Sequence, residues 1–78
     1  MGIKQIPTKK FKKFLKNQGC IYIRSHGDHD LYDRPEKPLP RPISIISRYK
    51  DIPPLHIQTS LENLGISMKD FEEILKDL

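Results

Sequence analysis

Seventy-eight residues with one cysteine, no long apolar run and no acidic residue in the first 25 positions exclude several kinds of protein before any motif is considered. A lone cysteine cannot close an intramolecular disulfide, and the distances in sequence from Cys20 to the three histidines match no zinc pattern. Cys20 therefore reads as a small buried hydrophobe. Nothing approaches the roughly 20 apolar residues of a membrane span, so a soluble, cytoplasmic protein without a membrane partner is expected. The Met1-Gly2 start lacks the Ser or Thr at position 6 that a myristoylation signal needs, since Ile6 stands there. There are no internal repeats, and the one biased segment is Arg34 to Pro42, with four of the seven prolines.

What is present is charge with a gradient. Residues 1–25 carry seven basic side chains and no acid, residues 26–50 five against four, and residues 51–78 two against six, so +7, +1 and −4 make the net +4. Such asymmetry favours an anionic partner near the N-terminal half, set against the plainer possibility of a well-solvated lysine-rich helix. A chain this short buries only about 60% of its unfolded surface, so one domain over 1–78 with a thin core is expected.

Phe11, Phe14 and Leu15 recur at helical spacing among Lys9, Lys10, Lys12, Lys13 and Lys16, with Thr8 expected to cap the helix, Ile6 to staple its first turn and Gly19 to stop it. Cys20 to Arg24 is β-branched and aromatic, and its alternation predicts Ile21 and Ile23 facing the core with Tyr22 and Arg24 on the other side. His26-Gly27-Asp28 supplies turn chemistry, His29 to Asp33 returns as a second strand, and the proline loop leads to a third at Ile43 to Ser47. A helix is predicted from Pro54 to Leu64 with Leu55, Ile57, Leu61 and Leu64 inward, ended by Gly65. Ser67 and Asp70 resemble a capping box opening an additional C-terminal helix within 66–78, with Met68, Phe71, Ile74, Leu75 and Leu78 as its stripe. The expected fold is α+β: α-β-β-β-α, a three-stranded antiparallel sheet with helices on one face, plus the last helix. Tyr22 and Arg24 would project from the free face, where an aromatic and a guanidinium suit stacking and phosphate contact.

The Ile-Pro opening of a lysine-rich helix with paired Phe, Gly19-Cys20-Ile21 turning into a strand, Arg24, Gly27-Asp28-His29-Asp30-Leu31-Tyr32, a proline loop, a short apolar strand and a closing helix together resemble the HicA toxin family. The resemblance spans roughly Ile3 to Leu75. Its most specific part is Gly-x-His-x followed by an aliphatic and an aromatic residue, matched by Gly27, His29, Leu31 and Tyr32. Asp28 departs from the Ser or Thr usual there and adds a negative charge beside the histidine; Asp51 to His56 departs from the basic and glycine residues that often precede the family's second helix. The resemblance implies a fold similar to the double-stranded RNA-binding domain (dsRBD), endoribonuclease cleavage of mRNA, a HicB antitoxin as inhibiting partner, a catalytic role for His29, and no metal or cofactor.

Cleaving RNA without metal requires proton transfer from the 2′-hydroxyl and to the leaving 5′-oxygen, and imidazole, with a pKa near 6.5, can serve as base or acid. His29 is the candidate. Arg24 is the expected donor to the phosphate, with Lys9, Lys10, Lys13 and Lys16 as RNA-positioning contacts and Gly27, Asp28 and Tyr32 in support. Asp28 or Asp30 would either orient the His29 ring or shape the turn and repel RNA. His26, three residues before His29, also suggests a metal pair with the aspartates, but a further strong ligand is missing unless His56 approaches from the second helix. Two other readings stand beside the nuclease: an RNA-binding module of the same fold without efficient cleavage, and an interaction domain whose acidic last helix docks another protein.

Overall fold

The computed structural model describes residues 6–78, so the Gly2 start and the charge of Lys4 lie outside the described residues. In chain order the elements are β1 (Ile6–Pro7), α1 (Thr8–Asn17), β2 (Ile21–His26), β3 (His29–Asp33), β4 (Ile43–Ile46), β5 (Asp51–Ile52), α2 (Pro54–Leu64) and α3 (Met68–Lys76). The α+β class, the three antiparallel strands and the three helices agree with the sequence pattern. The pairing of β1 with β5 does not come from that pattern: Ile6 stands opposite Ile52 and Pro7 opposite Asp51. Two residues per strand are too few to carry a period, and their pairing joins residues 44 and 46 positions apart only because the chain folds back.

The same return contact overrides the expected helix cap. Pro7 occupies the N-cap position, and Thr8 lies inside α1 and is buried. Its hydroxyl donates to the Tyr49 carbonyl at 2.7 Å while its N–H donates to the Lys50 carbonyl at 2.9 Å, so a distant loop satisfies what a local cap would have. Ser67, by contrast, caps α3 as expected, accepting from the Asp70 N–H at 3.1 Å. Gly65 ends α2 in the left-handed region at φ 75°. Pro54 sits at the first helical position, where its missing N–H has no intrahelical partner to lose.

In the three-stranded sheet the order is β2-β3-β4. Phe11, Phe14 and Leu15 from α1, Ile57, Leu61 and Leu64 from α2, and Phe71 from α3 close on Ile43 and Ile45 of β4 in one apolar cluster, joined by Cys20, Leu39 and Ile52. Each such side chain contributes about 1.5–3 kcal/mol on full burial. Three rings form its centre: Phe71 meets Phe14 edge-on at 4.7 Å and Phe11 at 6.0 Å.

Three expectations about facing are corrected. Ile21 and Ile23 are about half exposed (51% and 49%) rather than buried, because the helices close on the isoleucines of β4, at the opposite edge of the sheet. Tyr22 and Arg24 do not share a face. The ladder slips between them, so Tyr22 pairs with Tyr32 while Arg24 pairs with Leu31, and Ile23 is the extra residue of a bulge. Leu55, expected inward on α2, is 69% exposed, while Ile57, Leu61 and Leu64 are buried as expected and Ser60 is buried beside them. Strand β4 also ends at Ile46, one residue short of Ser47.

Candidate active site

The β2–β3 hairpin turns on the two residues Gly27 and Asp28, between paired His26 and His29. Gly27 has φ 62° and Asp28 keeps a negative φ, the pattern of a turn that needs glycine first and that matches the twist of its strands. The Asp28 carbonyl accepts from the Ser47 N–H at 3.0 Å and from its hydroxyl at 3.2 Å, which ties the hairpin tip to the end of β4. His29 is therefore the first residue of a strand anchored on both sides.

Cross-strand partners share a face and successive residues alternate, so the register sorts the hairpin into two sides. Asp30 and Tyr32 lie with Ile45, Ile43, Ser25 and Tyr22 on the side covered by helices. His29 and Leu31 lie with His26, Arg24, Ser44 and Ile46 on the other. There His29 Nδ1 stands 2.6 Å from Ser44 Oγ. The aspartates, the sequence candidates for orienting this ring, are engaged elsewhere. Asp30 accepts from Ser25 Oγ at 2.8 Å and lies 3.7 Å from the Lys12 ammonium, and Asp28 faces Arg48 at 3.4 Å. Ser44 is the orienting residue that the sequence did not disclose; its only signal was a polar position inside Ile43-Ser44-Ile45, and nothing local specifies the register that brings it to His29.

With Nδ1 engaged by a hydroxyl, Nε2 is the ring nitrogen left for a substrate. A serine hydroxyl can accept from Nδ1–H, which leaves Nε2 a base, or donate to bare Nδ1, which leaves Nε2–H an acid. The same contact thus supports both halves of a proton-transfer cycle. Around it a cleft of about 290 Å³ is lined by His29 of β3, Ser44 of β4, Arg41 just before β4, and Leu55, His56 and Asn63 of α2. Its size falls just below that of small-ligand sites, which run from about 300 to 1,000 Å³.

The predicted RNA contacts divide. Arg24 shares the face of His29. Lys13 and Lys16 do not: with Lys12 they border a second hollow, of about 380 Å³, with Cys20, Ile21, Tyr22 and Tyr32. The two tyrosine rings of this hollow pack edge-on with centroids 6.0 Å apart. Lys9 is exposed and Lys10 half-buried on α1, and neither borders either hollow. Tyr32 is half-buried in this second group, and burial, reinforced by the charge of Asp30 and by Tyr22, raises its phenol pKa. Burial likewise pushes the Cys20 thiol up, only partly offset by the Arg34 charge.

His26 and His29 are cross-strand partners and His56 reaches the His29 cleft, but no group of three or more His, Cys, Asp or Glu side chains converges among the described residues. No helix among them is long and apolar enough to cross a membrane. Comparison with protein-family models, with curated proteins and with solved structures finds no match for the chain.

Proposed function

We propose that this chain is a HicA-like endoribonuclease with a dsRBD-like fold, a cytoplasmic toxin that cleaves mRNA without a metal and is neutralised by a HicB-like antitoxin. The observation that carries the reading is His29 on an anchored strand with Nδ1 against Ser44 Oγ and Nε2 bonded to none of the described residues, bordering a cleft that Arg41 also lines. His29 removes the 2′-hydroxyl proton; the 2′-oxygen bonds to phosphorus as the bond to the 5′-oxygen breaks and that oxygen takes up a proton, leaving a 2′,3′-cyclic phosphate and a 5′-hydroxyl. Arg24, on the same face, and Arg41, in the cleft, stabilise the charge that gathers on the phosphoryl oxygens. Gly27 supports the site through the turn, and Asp28 through its carbonyl bonds to Ser47.

The test is incubation of the purified chain with mRNA in the presence of EDTA. Cleavage that persists in chelator and disappears in His29→Ala supports the nuclease; binding without cleavage refutes it. Co-expression with the product of a neighbouring reading frame should abolish cleavage if a HicB-like partner exists.

One observation favours the second reading, an RNA-binding module without efficient cleavage: Lys13 and Lys16 lie beside Tyr22 and Tyr32, away from the His29 face. Basic groups interleaved with aromatic rings suit a single strand, whose phosphates and bases need both. Under that reading Lys13→Ala with Lys16→Ala flattens the salt dependence of RNA binding, whereas His29→Ala leaves it unchanged.

A further inference from the structure

The transesterification asks for a base at the 2′-oxygen and an acid at the 5′-oxygen at one time, and a single imidazole cannot hold both protonation states at once. The fold supplies a second imidazole. His56, the third residue of α2, borders the same cleft as His29 and is half-buried. Among the described residues its ring makes no hydrogen bond with another side chain or with the backbone, whereas His29 is held by Ser44. The two prolines before it fix its placement, Pro53 at the cap with φ −60° and ψ 142° and Pro54 as the first helical residue. Arg41 borders the cleft between the two histidines in sequence, and Leu55, Pro42 and Ile43 give it apolar walls.

We propose that His56 is the second acid–base group of this cleft, donating the proton that the leaving 5′-oxygen takes up while His29 accepts the one leaving the 2′-oxygen. The inference rests on the ribonuclease reading and adds a residue to it. The 2′-oxygen–phosphorus bond forms, the phosphorus–5′-oxygen bond breaks, His29 gains a proton and His56 loses one, and exchange with water restores both. Among the described residues the titratable or charged groups lining the cleft are His29, His56 and Arg41. On the sheet His26 stands across from His29, which makes it the natural control.

The experiment is the pH dependence of RNA cleavage in EDTA, with a ribonucleoside 3′-nitrophenyl phosphate as second substrate, whose leaving group needs no proton. The wild-type chain should give a bell-shaped profile on RNA. His56→Gln should lose the alkaline limb and about 10²–10⁴-fold in rate on RNA, yet stay within a few-fold of wild type on the nitrophenyl ester. His29→Ala should fail on both, and His26→Gln should keep the bell. Equal losses on both substrates in His56→Gln, including those of a variant that folds poorly, would overturn the inference while leaving His29 and the nuclease in place. Loss of the alkaline limb in His26→Gln instead would overturn it too. A wild-type chain that cleaves neither substrate overturns this inference and the nuclease reading together.

Discussion

Helix α3 is the element a minimal α-β-β-β-α arrangement lacks, and one substitution decides whether it belongs to the cooperative fold. Phe71 is 1% exposed and meets Phe14 at 4.7 Å and 81°, and Phe11 at 6.0 Å and 69°. Truncating a buried phenylalanine to alanine costs about 3–5 kcal/mol, and each edge-on aromatic contact accounts for about 0.5–1.5 of that. At about 0.05–0.15 kcal/mol per residue, a 78-residue domain has only about 4–12 kcal/mol of stability, so Phe71→Ala removes a large part of it. The assay is urea unfolding followed by circular dichroism. With a slope of about 1–3 kcal/mol per molar urea, the midpoint should fall by at least about 1 M. Leu78→Ala is the control, since Leu78 lies beyond α3 and is 38% exposed; it should stay within about 0.5 kcal/mol of wild type. A midpoint shift in Phe71→Ala no larger than in Leu78→Ala would refute the reasoning, because α3 would then fold outside the unit defined by the sheet and the other helices.

Ser44→Ala removes one hydrogen bond from His29, worth about 1 kcal/mol, so RNA cleavage should slow roughly five-fold against a complete loss in His29→Ala; an unchanged rate would deny Ser44 its orienting role. The Asp33 carboxylate accepts from the backbone N–H groups of Leu39 at 3.1 Å and Arg34 at 2.7 Å, which hold its pKa below the usual 3.8. Because the folded value is the lower one, its stabilising contribution is present above that usual value and is lost as pH falls through the folded value. Asp33→Asn should therefore be less stable than wild type near neutrality, with the difference in urea midpoint shrinking toward pH 2; a gap that widens on acidification would contradict this. Cys20, buried and with its thiol pKa raised, should resist iodoacetamide at neutral pH and react in proportion to the unfolded fraction as urea is added; rapid labelling of the native chain would show the site to be open.

Helices and turns were largely legible because their signals are local. Phe11, Phe14 and Leu15 fall on one face of ten helical residues, Pro54 and Gly65 bracket α2, and Ser67 caps α3, each through neighbours within four positions. The strands were legible as strands but not as surfaces. Alternation in Ile21-Tyr22-Ile23-Arg24 predicts one buried and one open side, and it fails because the bulge at Ile23 breaks the period and the helices close on the β4 isoleucines instead. Thr8 was misassigned for a related reason: its partner is the Tyr49 carbonyl, 41 positions away.

By itself the sequence determined that these residues form one small α+β arrangement with a glycine-led hairpin presenting His29, because spacing, capping and turn residues act over a few positions. Tertiary structure alone decided the company His29 keeps. Strand register set Ser44 against its ring, α2 brought His56 and the segment before β4 brought Arg41 into its cleft, and the slip between Tyr22 and Arg24 set Tyr22 opposite Tyr32, on the side away from His29. Those relations join residues 12 to 27 positions apart along the chain, or turn on a ladder slip that no local pattern encodes, so they exist only after the strands have paired and the helices have closed over them.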